Sequence, residues 1–153
     1  MAIKVCLDYN IKIEEIIKKI ETFKLVKKRM NVKRKRSNII INDCYNSSYE
    51  SVEAGLNYIK KINKNKIIII GDILELGKHS SKIHKKINKL LSTLKNTKIY
   101  TVGEYTKNIN GTHFNNSNEL LKYLNKIKIK DSYVYIKGSR GMNLDIIVDY
   151  FTK

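Results

Sequence analysis

Short apolar runs alternate with longer stretches of helical periodicity from residue 38 to the end of the chain. Four of these runs are only a few residues long and mostly apolar, so we expect buried strands at 38–41, 66–70, 98–102 and 132–136. Strands that are buried on both sides need helices on both faces of their sheet. The pattern therefore predicts a doubly wound α/β domain with a mostly parallel sheet.

Apolar residues recur at helical spacing after each predicted strand, which indicates four amphipathic helices. Their stripes are Val52, Leu56, Ile59 and Ile62; Ile83, Ile87, Leu90, Leu91 and Leu94; Leu120, Leu121, Leu124 and Ile127; and Leu144, Ile147, Val148 and Phe151. Ser47 with Glu50, and Asn116 with Glu119, have the spacing of a helix cap and its returning glutamate. Residues 112–114 are a candidate for a further short strand.

Loops at the carboxyl ends of parallel strands share one edge of the sheet, and ligands of open α/β sheets bind there. The glycines at 71, 103 and 138 each fall just after a predicted strand, where the chain turns toward its next helix. We therefore expect one functional rim, formed by residues 43–48, 71–77, 103–105 and 137–141.

The first part of the chain differs from the rest. Ile13, Ile16, Ile17 and Ile20 predict a lone amphipathic helix, and the basic residues 27–36 read as a connector. Residues 1 to about 28 are therefore interpreted as the tail of another domain.

Composition places the chain among globular proteins. Its 153 residues suit one domain with a real core, and the hydrophobic content of 42% with 29% charged residues argues against a disordered chain. No apolar run reaches the roughly 20 residues that span a bilayer, and the first nine residues lack a secretory apolar region, so we expect a cytoplasmic protein. Cys6 and Cys44 lie far apart, which predicts two reduced thiols rather than a disulfide or zinc framework.

A formal net charge of +17 first suggests a nucleic-acid partner. However, the excess is almost all lysine, and lysine, asparagine and isoleucine together make up nearly half the chain. Their codons consist largely of A and T, so genome composition explains the excess better than selected binding does. The remaining alternative is a basic module for RNA or another polyanion that uses residues 27–36, where seven of ten residues are basic.

The chain has neither a GxGxxG fingerprint nor a GxxxxGK[ST] P-loop, which argues against a self-sufficient ATPase. On the predicted rim, Asp43 could accept hydrogen bonds from hydroxyls or an ammonium group. Asp72 and Glu75 add negative charge on the next loop. The donors beside the last helix, whose N-terminus favours anions, are Lys137, Ser139 and Arg140.

A structural role competes with each of these functions. Asp43 and Asp72 would also serve to end strands or cap helices, Glu75 to solvate the surface, and Ser139 with Arg140 to begin a helix. His79 and His84 suit solvent contact or helix packing better than metal ligation. No nucleophile, base and orienting group occur together, so hydrolysis has little support.

Three strings on the predicted rim resemble the C-terminal domain of the Mur ligases, in the branch that adds D-alanyl-D-alanine to UDP-N-acetylmuramoyl-tripeptide. The family patterns are DDxYNANPxS, then GDMLELG followed by a serine and a histidine, then VKGSRGM. Matching residues are Asp43, Tyr45, Asn46 and Ser51; Gly71, Asp72, Leu74, Glu75, Leu76, Gly77, Ser80 and His84; and Lys137, Gly138, Ser139, Arg140, Gly141 and Met142. Upstream, residues 14–26 resemble the family's helix and FKPV segment, and Arg29 falls at its glycine-arginine pair.

The resemblance implies one part of a larger enzyme. Residues 1–28 would be the trailing helix and linker of the central, ATPase domain, and residues 29–153 the C-terminal domain. In this family the N-terminal domain holds the UDP moiety, and the central domain holds the P-loop, the magnesium ligands and a carbamylated lysine; none of these is in the chain. We therefore expect no ATP turnover by the chain alone. A fragment, a split-gene product that needs a separately encoded partner, and a degraded remnant all remain open.

The resemblance also implies site residues and ligands. The ligands would be ATP, Mg²⁺ held mainly by the central domain, UDP-N-acetylmuramoyl-tripeptide and D-alanyl-D-alanine. Arg29 and Asp43 would face ATP. The residues implied for the incoming dipeptide are Asn46, Lys137, Ser139 and Arg140, followed by Asp72 and Glu75. The sequence departs from the family pattern at Lys28 for glycine, Asn42 for aspartate, Ser48 for asparagine and Tyr49 for proline.

Overall fold

The computed structural model describes residues 2–22 and 28–153. The helices are α1 (Ala2–Asp8), α2 (Ile13–Glu21), α3 (Tyr49–Lys60), α4 (Ser80–Leu91), α5 (Ser117–Leu124) and α6 (Asp145–Thr152). The strands are β1 (Asn31–Lys35), β2 (Asn38–Asp43), β3 (Asn65–Gly71), β4 (Thr97–Val102), β5 (Thr112–Phe114) and β6 (Ser132–Lys137). Short 3₁₀ turns cover Gly77–His79, Tyr105–Asn108 and Arg140–Met142.

The six strands form one sheet in the order β1-β2-β6-β3-β4-β5. Every pairing is parallel except that of β1 with β2, which is antiparallel. The chain leaves β2 for β3, continues outward to β5, and returns with β6 between β2 and β3. This order brings the carboxyl ends of β2, β6 and β3 side by side, and the predicted doubly wound α/β class is confirmed.

Two hydrophobic cores lie on the two faces of the sheet, because alternate residues of each buried strand point to opposite sides. On one face, α3 and α4 cover Ile41, Ile68, Ile70 and Tyr135 with residues such as Val52, Leu56, Ile87 and Leu91. On the other face, α5 and α6 cover Ile40, Ile69, Val134 and Ile136 with residues such as Leu120, Leu124, Ile147 and Phe151. The apolar stripes read from the sequence are therefore the faces that pack on the sheet.

Two elements at the start of the chain differ from the sequence prediction. Residues 31–35, interpreted as part of a basic connector, form the edge strand β1, in which only Val32 is apolar. The predicted lone helix α2 has a neighbour, the seven-residue α1, against which it packs. Apolar periodicity did not predict β1 because its side chains are not buried. The strand forms through its backbone pairing with β2.

One predicted helix cap is correct and the other is shifted. The Asn116 side chain accepts a hydrogen bond from the Glu119 amide at the start of α5, as expected. At α3 the cap is Ser48, not Ser47, and its partner is Ser51, not Glu50; each hydroxyl accepts from the other residue's amide. The reciprocal pair starts α3 although Tyr49 stands at the first helical position, where proline is favoured.

Gly55 on α3 makes room for the side chain of Tyr135, the inward-facing residue of β6. A Cβ atom at position 55 would overlap the Tyr135 hydroxyl, and that hydroxyl is held by a hydrogen bond to Asp43. The close approach of helix and sheet therefore depends on the absence of a side chain at position 55.

Gly55→Ala should lower the free energy of unfolding by about 1–3 kcal/mol, because a buried overlap must be relieved by a backbone shift. Tyr135→Phe removes the overlapping oxygen, so Gly55→Ala should cost less in the Tyr135→Phe background than in the parent. Urea unfolding of the four proteins measures both costs, and an equal cost in the two backgrounds would contradict this packing.

No helix within residues 2–22 and 28–153 combines the length and apolar character needed to cross a membrane.

Candidate functional site

The three motif strings meet at the carboxyl edge of the sheet. The first follows β2, the second follows β3 and the third follows β6, and these strands are neighbours in the order β2-β6-β3. The predicted rim is therefore a continuous surface, and buried polar groups join its loops.

Asp43 and Lys137 form a buried ion pair at the centre of this rim. They are direct partners in the register of β2 and β6, and the Lys137 Nζ lies 2.8 Å from Asp43 Oδ2. The Lys137 side chain is 1% exposed and that of Asp43 is 11% exposed. The ammonium also donates to the backbone oxygens of Asp43, at 3.4 Å, and Asn46, at 3.1 Å. All three of its donors are therefore committed to Asp43, the last residue of β2, and to Asn46 in the loop that follows.

The Asp43 carboxylate has two further partners. Its Oδ2 accepts a hydrogen bond from the Tyr135 hydroxyl at 3.1 Å, and its Oδ1 accepts from the Met30 amide at 3.1 Å. Burial and the neighbouring carboxylate raise the pKa of Tyr135 well above its ordinary value, so the phenol stays protonated and donates. One carboxylate thus joins β6, the loop after β2 and the segment that enters the domain.

The entering segment, residues 28–30, lies on the loop after β2. Its Lys28 carbonyl accepts from the Tyr45 amide at 3.1 Å, and the Arg29 guanidinium stands over the Tyr45 ring, 4.7 Å from its centroid. Lys28 also forms a 2.8 Å ion pair with Asp145 of α6. These contacts hold Arg29 beside the Asp43 network while leaving its side chain exposed.

The second and third strings are joined through Asp72 and Ser139. The Ser139 hydroxyl accepts from the Leu74 amide at 2.9 Å, and the Ser139 amide donates to the Asp72 carbonyl at 3.1 Å. The buried Asp72 carboxylate accepts from the amides of Tyr105 and Thr106, which begin the turn after β4. Asp72 therefore fixes the fourth rim segment, and its carboxylate does not cap the helix that follows it in sequence, α4.

His84, the histidine of the second string, is buried in the same region. Its Nε2 accepts a hydrogen bond from the Ile73 amide at 3.2 Å, and its Nδ1 lies 2.8 Å from the Ser80 carbonyl. This pair of contacts requires a neutral ring with the proton on Nδ1. His84 thus packs against the loop after β3, whereas His79 is exposed.

The eight predicted site residues fall into two groups. Asp43, Lys137, Asp72 and Ser139 are buried and bonded to protein atoms; Arg29, Asn46, Glu75 and Arg140 are exposed on the same rim. Among the exposed group, the Asn46 side chain accepts from the Ser47 amide at 2.8 Å. Glu75 has a left-handed backbone, with φ of 65°. Tyr135 was not among the predicted site residues. Its role, a hydrogen bond to Asp43, depends on the strand that lies beside it in the sheet.

No cluster of three His, Cys, Asp or Glu side chains suited to a metal ion occurs in the described part of the chain. The rim carboxylates either accept hydrogen bonds from protein donors or lie apart from one another.

The family model described as "Mur ligase, glutamate ligase domain" matches residues 28–140. The chain therefore belongs to the Mur ligase family, and the α/β domain with its joined rim is the C-terminal domain of that family. Within the family, the similar proteins are UDP-N-acetylmuramoyl-tripeptide--D-alanyl-D-alanine ligases.

The ligase of Rickettsia prowazekii (strain Madrid E) is 35% identical over 91% of this chain and 33% of its own length. That of Buchnera aphidicola subsp. Baizongia pistaciae is 32% identical over 99% of this chain and 35% of its own. A crystal structure of MurF from Acinetobacter baumannii superposes with a TM-score of 0.85 at 25% identity, over 99% of this chain and 36% of that one. The chain thus spans about a third of the length of the curated relatives it matches.

Two positions that depart from the family pattern have unfavourable local features in the structure. Lys28, in place of the family's glycine, has a φ of 69°, the left-handed region that glycine occupies most easily. Ser47 stands where the pattern has alanine, and its hydroxyl is the one buried side-chain polar atom without a hydrogen-bond partner in the described residues. Each residue therefore carries a cost in stability, Lys28 through its backbone conformation and Ser47 through its unpartnered hydroxyl.

Replacing one member of the central ion pair should be strongly destabilising. Asp43→Asn or Lys137→Met alone should lower the free energy of unfolding by about 3–5 kcal/mol, because each leaves a buried charge without its counter-charge. The double variant should cost clearly less than the sum of the two. Chemical unfolding of all four proteins measures the coupling, and additive costs would show that the pair is not coupled.

The two cysteines should react very differently with thiol reagents. Cys44 is buried, and burial, followed by the nearby Asp145 carboxylate, raises the pKa of its thiol to about 12. Because the thiolate is the reactive form, Cys44 should stay silent at pH 8. A colorimetric thiol assay should therefore count one fast thiol, Cys6, in the native chain and two after denaturation. Two fast thiols in the native protein would contradict the burial of Cys44.

Proposed function

We propose that this chain is the C-terminal domain of a UDP-N-acetylmuramoyl-tripeptide--D-alanyl-D-alanine ligase and closes over the reacting groups of that enzyme. The observation that carries the proposal is the meeting of all three family strings on one rim. The Asp43–Lys137 pair joins the first string to the third, and the hydrogen bond from the Ser139 amide to the Asp72 carbonyl joins the second to the third. Relatives of that name align over nearly the whole chain, which supports the same conclusion.

The proposed reaction forms an amide in two steps. An oxygen of the tripeptide carboxylate attacks the terminal phosphorus of ATP, which gives an acyl phosphate and releases ADP. The amine nitrogen of D-alanyl-D-alanine then attacks the acyl carbon; the carbon–oxygen bond to phosphate breaks, and the nitrogen loses a proton. Mg²⁺ would be bound by the rest of the ligase and would reduce the repulsion between phosphate oxygens.

The exposed rim residues are suited to direct contact with these reactants. Arg29 offers a fixed cation to phosphoryl oxygens, where negative charge develops. Asn46 and Arg140 offer donors for the carboxylate or carbonyl groups of the dipeptide, and Glu75 offers an acceptor for its ammonium group. The contact of Arg29 with Tyr45 and that of Asn46 with the Ser47 amide set the positions of these two side chains before the reactants arrive, which lowers the entropic cost of orienting them.

The buried rim residues have positioning roles in the proposal. Asp43 acts on ATP through Arg29, because it holds the Met30 amide next to that arginine. Lys137 acts through the Asn46 carbonyl, and Ser139 through the backbone of the loop after β3. Asp72 sets the turn that follows β4.

Residues 1–28 are proposed to be the trailing helix and linker of the central domain, with the C-terminal domain at 29–153. The start of the family match at residue 28 supports this boundary, as does the absence of α1 and α2 residues from both cores of the α/β domain.

A chimera tests the proposal directly. The last third of the Rickettsia prowazekii ligase is replaced by this chain, and formation of the pentapeptide nucleotide is followed by mass spectrometry with ATP, Mg²⁺ and both substrates. We expect product. Arg29→Ala should lower kcat by about 100-fold or more, because it removes a cation from the developing phosphoryl charge.

Arg34→Ala is the matched control, because Arg34 is also an exposed arginine but lies on β1 away from the three strings. It should leave kcat within about twofold, as surface substitutions generally do. A folded chimera that makes no product, or equal effects of the two arginine variants, would contradict the proposed function.

A further inference from the structure

Two consecutive amides of the loop after β3 are held by side chains of other elements. The Ile73 amide donates to Nε2 of His84 on α4 at 3.2 Å, and the Leu74 amide donates to the hydroxyl of Ser139, after β6, at 2.9 Å. Both amides lie beyond the end of β3, so the strand ladder cannot satisfy them and side chains do so instead. The course of this loop is therefore fixed from two sides.

Glu75, the next residue of the loop, has a backbone conformation that needs such support. Its φ of 65° lies in the left-handed region, which a non-glycine residue occupies at a cost and keeps only where its surroundings impose it. The two held amides come directly before Glu75, and the 3₁₀ turn Gly77–His79 follows it. Because the Glu75 side chain is exposed, the support comes from the backbone on either side of it.

His84 has the geometry of a fixed hydrogen-bond acceptor. It is 4% exposed, its Nδ1 lies 2.8 Å from the Ser80 carbonyl oxygen, and the Tyr105 ring lies 5.8 Å away between centroids. Donation from Nδ1 to that carbonyl leaves the lone pair of Nε2 for the Ile73 amide. An apolar side chain would serve helix packing alone, so the contact with Ile73 is what the histidine adds.

The loop that His84 holds lies against the third string. A Cβ atom at Gly141 would come within 2.9 Å of Leu74 Cδ1, so the Leu74 side chain packs on the backbone of that turn. Arg140 precedes Gly141 and Glu75 follows Leu74, which places an exposed guanidinium and an exposed carboxylate on adjoining segments. A dipeptide with free ends carries the complementary charges, a carboxylate and an ammonium group.

We propose that His84 is a positioning residue for the incoming dipeptide: through the Ile73 amide it sets the backbone of Glu75 and so orients the Glu75 carboxylate toward the amine of D-alanyl-D-alanine. The inference rests on the proposed function, since it takes Glu75 as the acceptor for that group. Orientation before binding lowers the entropic cost of dipeptide capture. ATP binding should not depend on it, because Arg29 lies on the separate segment 28–30.

Two amide substitutions separate the contacts of the histidine ring. The amide of glutamine extends about as far as Nε2, whereas that of asparagine ends near Nδ1, so His84→Gln keeps an acceptor for Ile73 and His84→Asn loses it. In the ligase chimera described above, His84→Asn should raise the KM for D-alanyl-D-alanine by about tenfold and leave kcat and the KM for ATP within about twofold. His84→Gln should return the dipeptide KM to within about threefold of the parent value.

His79→Asn is the matched control, because it makes the same change at an exposed histidine five residues earlier. It should leave both KM values within about twofold. Glu75→Gln should also raise the dipeptide KM. If His84 acts through Glu75, the double variant His84→Asn, Glu75→Gln should be no worse than the more severe single variant. Effects that multiply would overturn the proposal.

Hydrogen exchange of residues 73–76, followed by mass spectrometry on the folded chimera, gives a readout that does not require turnover. Saturating D-alanyl-D-alanine, added with ATP, should slow this exchange by about threefold or more in the parent and in His84→Gln, and leave it unchanged in His84→Asn.

The outcomes separate this inference from the proposed function. An active chimera in which folded His84→Asn leaves the dipeptide KM unchanged, or in which Asn and Gln raise it equally, would overturn the positioning role and leave the function standing. An inactive chimera that still shows the expected pattern of protection would contradict the function and support the positioning role. An inactive chimera without protection would overturn both.

Discussion

The buried ion pair between Asp43 and Lys137 is the interaction on which the rest of the rim depends. It lies between two neighbouring strands, and its partners extend to the entering segment through Met30 and to α3 through Tyr135 and Gly55. Lysine suits this place because its three ammonium donors match two oxygens of Asp43 and the carbonyl oxygen of Asn46. A buried pair of this kind adds little net stability, so its value is the single arrangement of loops that it imposes.

The sequence predicted those parts of the fold that burial decides. The four parallel strands and their helices were correct because each buries an apolar face whose period is visible in one stretch of chain. The edge strand β1 and helix α1 were missed, since β1 has one apolar residue and α1 is only seven residues long, too short to show a helical period. The α3 cap was displaced by one residue because Ser47, Ser48 and Ser51 are all able to cap, and only the structure decides which of them does.

The site was predictable as a location but not as a network. The carboxyl edge of a parallel sheet and the three strings placed seven of the eight residues on one rim, and Arg29 was assigned only by its match to the family's glycine-arginine pair. The pairing of Asp43 with Lys137 requires that β6 return beside β2, and these residues are 94 positions apart. Nothing local to either residue contains that information. For this reason the sequence assigned Lys137 to the substrate, whereas in the structure its ammonium group contacts oxygen atoms of the protein.

The distribution of cations shows why the net charge of +17 says little about function. Exposed lysines and Arg34 sit on flexible stems, so contact with an anion would cost each of them side-chain entropy. Arg29 stands over Tyr45 on a segment held by two hydrogen bonds, one from the Tyr45 amide to the Lys28 carbonyl and one from the Met30 amide to the Asp43 carboxylate, so much of that cost is met on folding. On the edge strand, the charges of Lys33, Arg34 and Lys35 discourage pairing with another sheet. What distinguishes Arg29, the cation proposed to contact ATP, from the solvating cations of this chain is therefore the order of its surroundings, not its charge.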